Sequence, residues 1–260
     1  MLKKLNPHKS AFRRISKNTS INRGIRLRIE TRKLTLIAIL ASVYALGSFL
    51  PGFPMVGVPG SRIDIVRSLE AGYGLILGPV IGPSTAFLGA IVGKTLTGGG
   101  FGLFLTPLAP LSAFIAASLS RKRIVKVRGW VISSAIFTAL IAFWFISPPG
   151  QVSPLYPIPH LMGLGIILLF RGKISDYLAS KEKSRITLGV ALSSYASTMA
   201  GHMAGNLIFY YIIRPDPLIF IGLLPISIVE RLVLTTLSTV IATPLMLVTR
   251  TIFPELTRYR

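Results

Sequence analysis

Long uncharged stretches set the rhythm of this chain. No Asp, Glu, Lys or Arg falls within residues 71–93, 95–120, 129–170 or 186–213. A run of about 18 or more apolar residues reads as a membrane-crossing helix, and the pattern predicts an all-α polytopic membrane protein. The spans it predicts are 34–50, 65–77, 79–97, 101–119, 130–147, 154–170, 186–213 and 218–249. Breakers separate them: Pro51-Gly52, Gly78-Pro79, Gly98-Gly99-Gly100, Pro148-Pro149-Gly150 and Arg214-Pro215-Asp216-Pro217. The 65–77 span is short for a crossing helix. The 154–170 span carries Pro157, Pro159 and His160, which suits a partly re-entrant segment.

Composition agrees. Hydrophobic residues make up 51% of the chain and charged ones 14%, where about 25% charged is ordinary for a soluble domain. A soluble enzyme, a secreted disulfide scaffold and a disordered chain are thereby excluded. There is no Cys, so disulfides, thiolate nucleophiles and Cys-ligated metals are excluded as well.

The net charge is +21, which in a soluble chain would suggest nucleic acid. Its placement argues otherwise. Residues 1–33 hold 11 Lys or Arg and a single acid, Glu30. Residues 121–128, 171–185 and 250–260 bring the total to 24 of 29. Positive residues stay cytoplasmic, so both termini are expected inside, across about eight spans in the cell membrane. No nucleic-acid partner is expected. Residues 1–33 read as a retained basic tail, partly disordered, with a short interfacial helix near 25–33. Residues 34–250 read as one transmembrane domain, and 251–260 as a second cytoplasmic tail.

Small residues recur at four-residue spacing: Gly74, Gly78 and Gly82; Gly89 and Gly93; Gly201 and Gly205; Ala41 and Ala45. Such spacing lets helices approach closely in lipid, where water provides no driving force. Charges inside spans are costly and mark cavities. At about 1.5 Å per residue, Lys94 lies about 5 Å from the outer end of its helix and Glu70 about 8 Å. Asn206 lies about 10 Å deep, His202 about 16 Å and Glu230 about 18 Å. Arg62, Asp64 and Arg67 sit in or beside the outer loop. This outer-half bias suits an outward-opening pocket.

His202 and Asn206 share a helix face with Tyr195, Met199 and Tyr210. Arg231 shares one with Ser227, Thr235 and Ser238, whereas Glu230 points about 100° away. Structural roles compete with binding. Glu230 can pair with Lys94 or Arg67, and Arg67 with Glu70. Asp64 suits a helix N-cap, and His160 an interfacial position. The candidate site is Arg62, Glu70, Tyr73, Lys94, His202, Asn206, Tyr210, Glu230 and Arg231, with the tyrosines available for stacking. No catalytic residue, metal or cofactor is expected.

Residues 63–94, IDIVRSLEAGYGLILGPVIGPSTAFLGAIVGK, resemble the second and third helices of the S components of energy-coupling-factor (ECF) transporters. Ala38, Ala41 and Ala45 in LIAILASVYA are similar to that family's Ala-rich coupling motif. The Pro-Gly-Phe-Pro loop and ISIVERLVL near the end also fit the resemblance. It implies a six-helix core, with 130–170 as an extra hairpin. It further implies capture of a small vitamin-like molecule from outside and docking through the Ala38/Ala41/Ala45 face. The partners implied are a transmembrane coupling subunit and two ABC-type ATPases. The chain has no Gly-x-x-x-x-Gly-Lys-Ser/Thr loop of its own, so ATP hydrolysis falls to those partners. The competing reading is a polytopic membrane hydrolase or transferase using His202 and Glu230. For that, the nucleophile–base pairings on offer are His202 with Ser197 or with the distant Ser84.

Overall fold

The computed structural model describes Thr31 and residues 34–253. The chain divides into two units, residues 1–39 and 40–260. The expected basic tail and its short interfacial helix lie outside the described residues, apart from Thr31, as do residues 254–260. In the first unit, helix α1 (Leu34–Gly47) begins, and Thr35 donates its hydroxyl to the Thr31 carbonyl at 3.0 Å.

In the second unit α1 ends and a short antiparallel ribbon follows, β1 (Gly52–Pro54) with β2 (Arg62–Asp64). A 3-10 turn, Ile65–Ser68, leads into α2 (Leu69–Leu96). A second 3-10 segment, Gly100–Leu105, precedes α3 (Leu108–Ser120). A tight ribbon of β3 (Arg123–Ile124) and β4 (Val127–Arg128) joins α3 to α4 (Gly129–Ile146). Then come α5 (Pro148–Val152), α6 (Ile158–Phe170), α7 (Lys173–Ala179), α8 (Lys183–Ile213) and α9 (Ile219–Ile252).

The fold is all-α apart from these two ribbons. Four segments are long and apolar enough to cross a membrane: Ile65–Leu96, Gly100–Ser120, Gly129–Ile146 and Ile219–Ile252. Helices α6 and α7 meet at 77° and together form a fifth candidate. Alone, the 13 residues of α6 reach only about 20 Å. The expectation of a partly re-entrant stretch rests on Pro157 and Pro159, but these open α6; the bend falls at Arg171-Gly172, between α6 and α7.

The first of these segments is folded on itself. Gly78, at φ 84° and ψ −173°, interrupts α2, and beyond it Gly82 lies against the backbone of Tyr73 and Gly74. A straight helix would carry Lys94 about 37 Å from Leu69. Instead Lys94 Nζ sits 2.6 Å from Asp64 Oδ2. The expected turn at Gly78-Pro79 is therefore present. Gly supplies the positive φ, and Pro79 opens the returning arm, where its missing N–H is harmless.

Helix α8 departs from expectation in another way. It is about 46 Å long by its rise, yet it is absent from the apolar crossing candidates among the described residues. Ser193, Ser194, Ser197, His202 and Asn206 lower its hydropathy, and all are buried. Helices α2, α3, α4, α6, α7 and α9 surround it, so protein rather than lipid receives its polar groups. Ser194 and Ser238 hydroxyls meet at 2.9 Å across α8 and α9.

The four-residue glycine spacings serve close helix packing. Gly201 lies against Ser112, and Gly205 against Leu108, on α3. Gly89 and Gly93 receive α1 at Ala41, Tyr44, Ala45 and Ser48. This overturns part of the docking assignment. Ala41 and Ala45 are each 6% exposed, because they face the glycines of the returning arm. Only Ala38 of the three is exposed. A surface for a partner helix cannot be one this chain already covers. Ala41→Trp is expected to prevent folding, since an indole has no space where glycine meets backbone, and overpacking even by small groups costs about 1–3 kcal/mol. Size-exclusion of the purified variant checks this, and a well-folded variant would return the stripe to the surface.

Candidate functional site

A cavity lies between the β1–β2 ribbon and helices α8 and α9. Its volume is about 70 Å³, set in an opening whose total empty space is about 620 Å³. At roughly 10–15 Å³ per water, that volume admits about five to seven waters. Pro54, Met55, Val56 and Ile63 of the ribbon line one side. Leu105, Leu108 and Phe209 form an apolar wall. The polar lining is Arg67, Tyr156, His202, Asn206, Ser227, Glu230 and Arg231.

Four of the nine sequence-assigned residues meet here: His202, Asn206, Glu230 and Arg231. Arg62 and Lys94 line a smaller neighbouring recess with Tyr44, Asp64 and Arg67. Glu70 stands behind the lining, held by Tyr44 Oη at 2.9 Å and Arg67 Nε at 3.4 Å. The expected Arg67–Glu70 pair is present. Tyr73 is a packing residue, its hydroxyl donating to the Leu40 carbonyl at 2.6 Å. Tyr210 is half-buried beside Tyr211 and is not part of the cavity lining. Both tyrosines leave the site for these reasons.

Three electrostatic assignments need correction. Asp64 makes no side-chain cap at the following 3-10 turn. Its two oxygens instead face Lys94 Nζ at 2.6 Å and Arg62 Nε at 3.5 Å, and the latter contact is too poorly aligned for a hydrogen bond. A charge-assisted bond to ammonium outweighs a neutral cap. Glu230 pairs with neither Lys94 nor Arg67 among the described residues. Its Oε2 lies 3.4 Å from Arg231 Nη2, because long side chains bend back across the angle that separates their Cα–Cβ vectors. His160 is not interfacial. It is 1% exposed, and its Nε2 lies 3.1 Å from His202 Nδ1, one nitrogen donating to the other.

That contact brings the 130–170 segment into the site. Tyr156 lines the cavity and shares a hydrogen bond of 3.1 Å with the Ser227 hydroxyl. Its ring packs on Trp144 and Phe220, with centroids 5.0 and 5.2 Å away. Tyr195 donates to the Pro159 carbonyl at 3.2 Å, and Met199 lies beside His160. The α8 face carrying Tyr195, Met199 and His202 is thus real, but α6 covers most of it. Only its upper end, at His202 and Asn206, opens to the cavity.

Sequence reasoning placed Arg67 and the 51–67 loop at the mouth of the pocket, but it did not find Tyr156. The ribbon had a legible signal in Pro51-Gly52, Gly57 and Pro59-Gly60, turn residues around a short apolar stretch. Tyr156 had none, since its position depends on how α6 packs on α8.

No family model matches the chain, and no solved structure matches it. Over 212 residues the chain is 28% identical to an uncharacterized protein of Methanocaldococcus jannaschii, a similarity covering 80% of this chain and 69% of that one.

Proposed function

We propose that this chain is the substrate-binding subunit of an ECF-type importer, seated in the cell membrane with both termini cytoplasmic. The cavity under the β1–β2 ribbon carries this reading. Buried charged and polar groups converge on a small space beside an apolar wall, the usual make-up of a small-molecule site. Charges placed within apolar helices are retained at a cost, by default for function. The ribbon forms the roof, and substrate enters past it from outside. ATP hydrolysis is supplied by two ABC-type ATPases through a transmembrane coupling subunit.

The orientation and the roof are tested together. Val56 lines the cavity and is exposed, and the chain has no native Cys to interfere. In intact cells, Val56→Cys is expected to react with a membrane-impermeant maleimide. Labelling only after the membrane is opened would invert the proposed orientation. Capture of the tagged chain from its own membranes is expected to bring down the coupling subunit and the ATPases. Turnover of any compound by the purified chain alone would instead favour a membrane enzyme.

A further inference from the structure

We infer that the cavity takes a small carboxylate, with its acid group at Arg231 and Asn206 and a compact apolar or ring body against Leu105, Leu108 and Phe209. This deepens the proposed binding role and rests on it. The inference comes from unmatched donors. Arg231 is 3% exposed, and a guanidinium carries five N–H donors in a planar fork. Among the described residues its partner is Glu230, engaged by one nitrogen at 3.4 Å. Arg231 Nε has no hydrogen-bond acceptor, and neither does Asn206 Nδ2. Both residues are buried and both line the cavity.

Buried donors left unmatched are expensive, more so when charged. What is missing is an acceptor, and the cavity is where one would sit. The charges on the lining are Arg67, Glu230 and Arg231, two positive against one negative. Glu70 offsets Arg67 from behind, and Glu230 offsets Arg231 only through that single long contact. A ligand amine would add a cation beside two guanidiniums and offer no acceptor to them. A carboxylate is planar, accepts two parallel N–H bonds from a guanidinium and supplies the missing acceptors. The opposite wall has no charge to hold, so the rest of the molecule is apolar. The cavity volume of about 70 Å³ suits a compact body of about one ring.

The test uses the full-length chain in detergent and three matched probe sets: benzoate and cyclohexanecarboxylate, their amides, and benzylamine with cyclohexylmethylamine. The carboxylates are expected to bind in calorimetry and to raise the unfolding temperature, with the amides at least tenfold weaker and the amines without effect. Asn206→Leu, close in volume, is expected to weaken the carboxylates about tenfold. Glu230→Gln is expected to tighten them several-fold, because it frees Arg231 and removes a like charge. Arg231→Met with Glu230→Gln leaves no unpaired charge and is expected to abolish binding while the chain still folds.

Equal binding of amides or amines, or weaker carboxylate binding by Glu230→Gln, would overturn the assignment. Mass spectrometry of small molecules released from protein purified from its own host is the second arm. A compact water-soluble acid supports both the carboxylate and the importer, and a fatty acid keeps the acid group but overturns the compact body and places its source in the bilayer. A neutral or cationic ligand overturns the carboxylate and leaves the binding role standing. No bound molecule in either arm overturns both.

Discussion

Asp64→Asn is expected to destabilise this protein by about 3 kcal/mol, although it changes one heavy atom. Removing one partner of a buried ion pair costs about 3–5 kcal/mol, because the other charge stays behind without compensation. The Asp64 side chain is 3% exposed and that of Lys94 16%, which places the loss at the lower end of that range. The Lys94 stem lies close over Gly102, so the ammonium has little freedom to swing toward water. Arg62 contributes less. Its side chain is 38% exposed, and it is also anchored by a 2.7 Å bond to the Ser48 carbonyl. The double variant Asp64→Asn with Lys94→Met is expected to recover most of the stability, since a neutral pair of similar volume often replaces a buried ion pair without loss.

The same change reaches the cavity. Asp64 ends β2, which also carries Ile63 into the lining, and Lys94 ties that strand to the returning arm of α2. With the tie cut, Val56→Cys should react faster with maleimide. Thermal unfolding of the single and double variants, followed by tryptophan fluorescence, measures the first effect. If Asp64→Asn is silent, the pair is solvated and the roof is held by the ribbon alone.

How much of this was legible depends on whether a property is local. The Gly78-Pro79 turn was readable, because only a residue free to take positive φ can make it, and Pro must follow in an extended or helix-starting position. The glycine spacings were readable as helix contacts for a similar reason. Which helix each stripe would meet was not. Ala41 and Ala45 form the same pattern whether they face a partner or their own neighbour, and only the return of α2 toward α1 decides it. Helix α8 shows the same limit from the other side. Its serines lower its apolarity, and nothing in the sequence says that six helices' worth of protein will enclose it. The His160–His202 contact joins residues 42 apart in sequence, so no periodicity announces it. Lone ion-pair partners such as Asp64 and Lys94 were visible as candidates, but their pairing is a product of the hairpin.

The largest expected effect falls at Gly74. This residue lies on the outgoing arm of α2, where both neighbours are backbone. A Cβ added there would run into the Ala113 carbonyl of α3, and a Cβ added at Gly82 of the returning arm would in turn crowd Gly74 Cα. A flexible side chain could step aside, whereas a carbonyl within a helix cannot move without breaking its own hydrogen bond. Overpacking that forces backbone shifts costs about 1–3 kcal/mol for an added methylene and more for larger groups. Gly74→Val must displace the backbone of α3, and it is expected to abolish a monodisperse folded protein altogether. Gly74→Ala is expected to fold poorly and to recover at low temperature. Gly165 of α6 and Gly222 of α9 provide the contrast, because a Cβ at either meets nothing within 4 Å. Ala there is expected to raise stability by about 0.5–1 kcal/mol through helix propensity alone. Purification yield, size-exclusion profile and unfolding temperature across the four variants separate the two classes. Normal folding of Gly74→Val would mean that α2 and α3 do not approach as closely as the backbone contact at Ala113 requires.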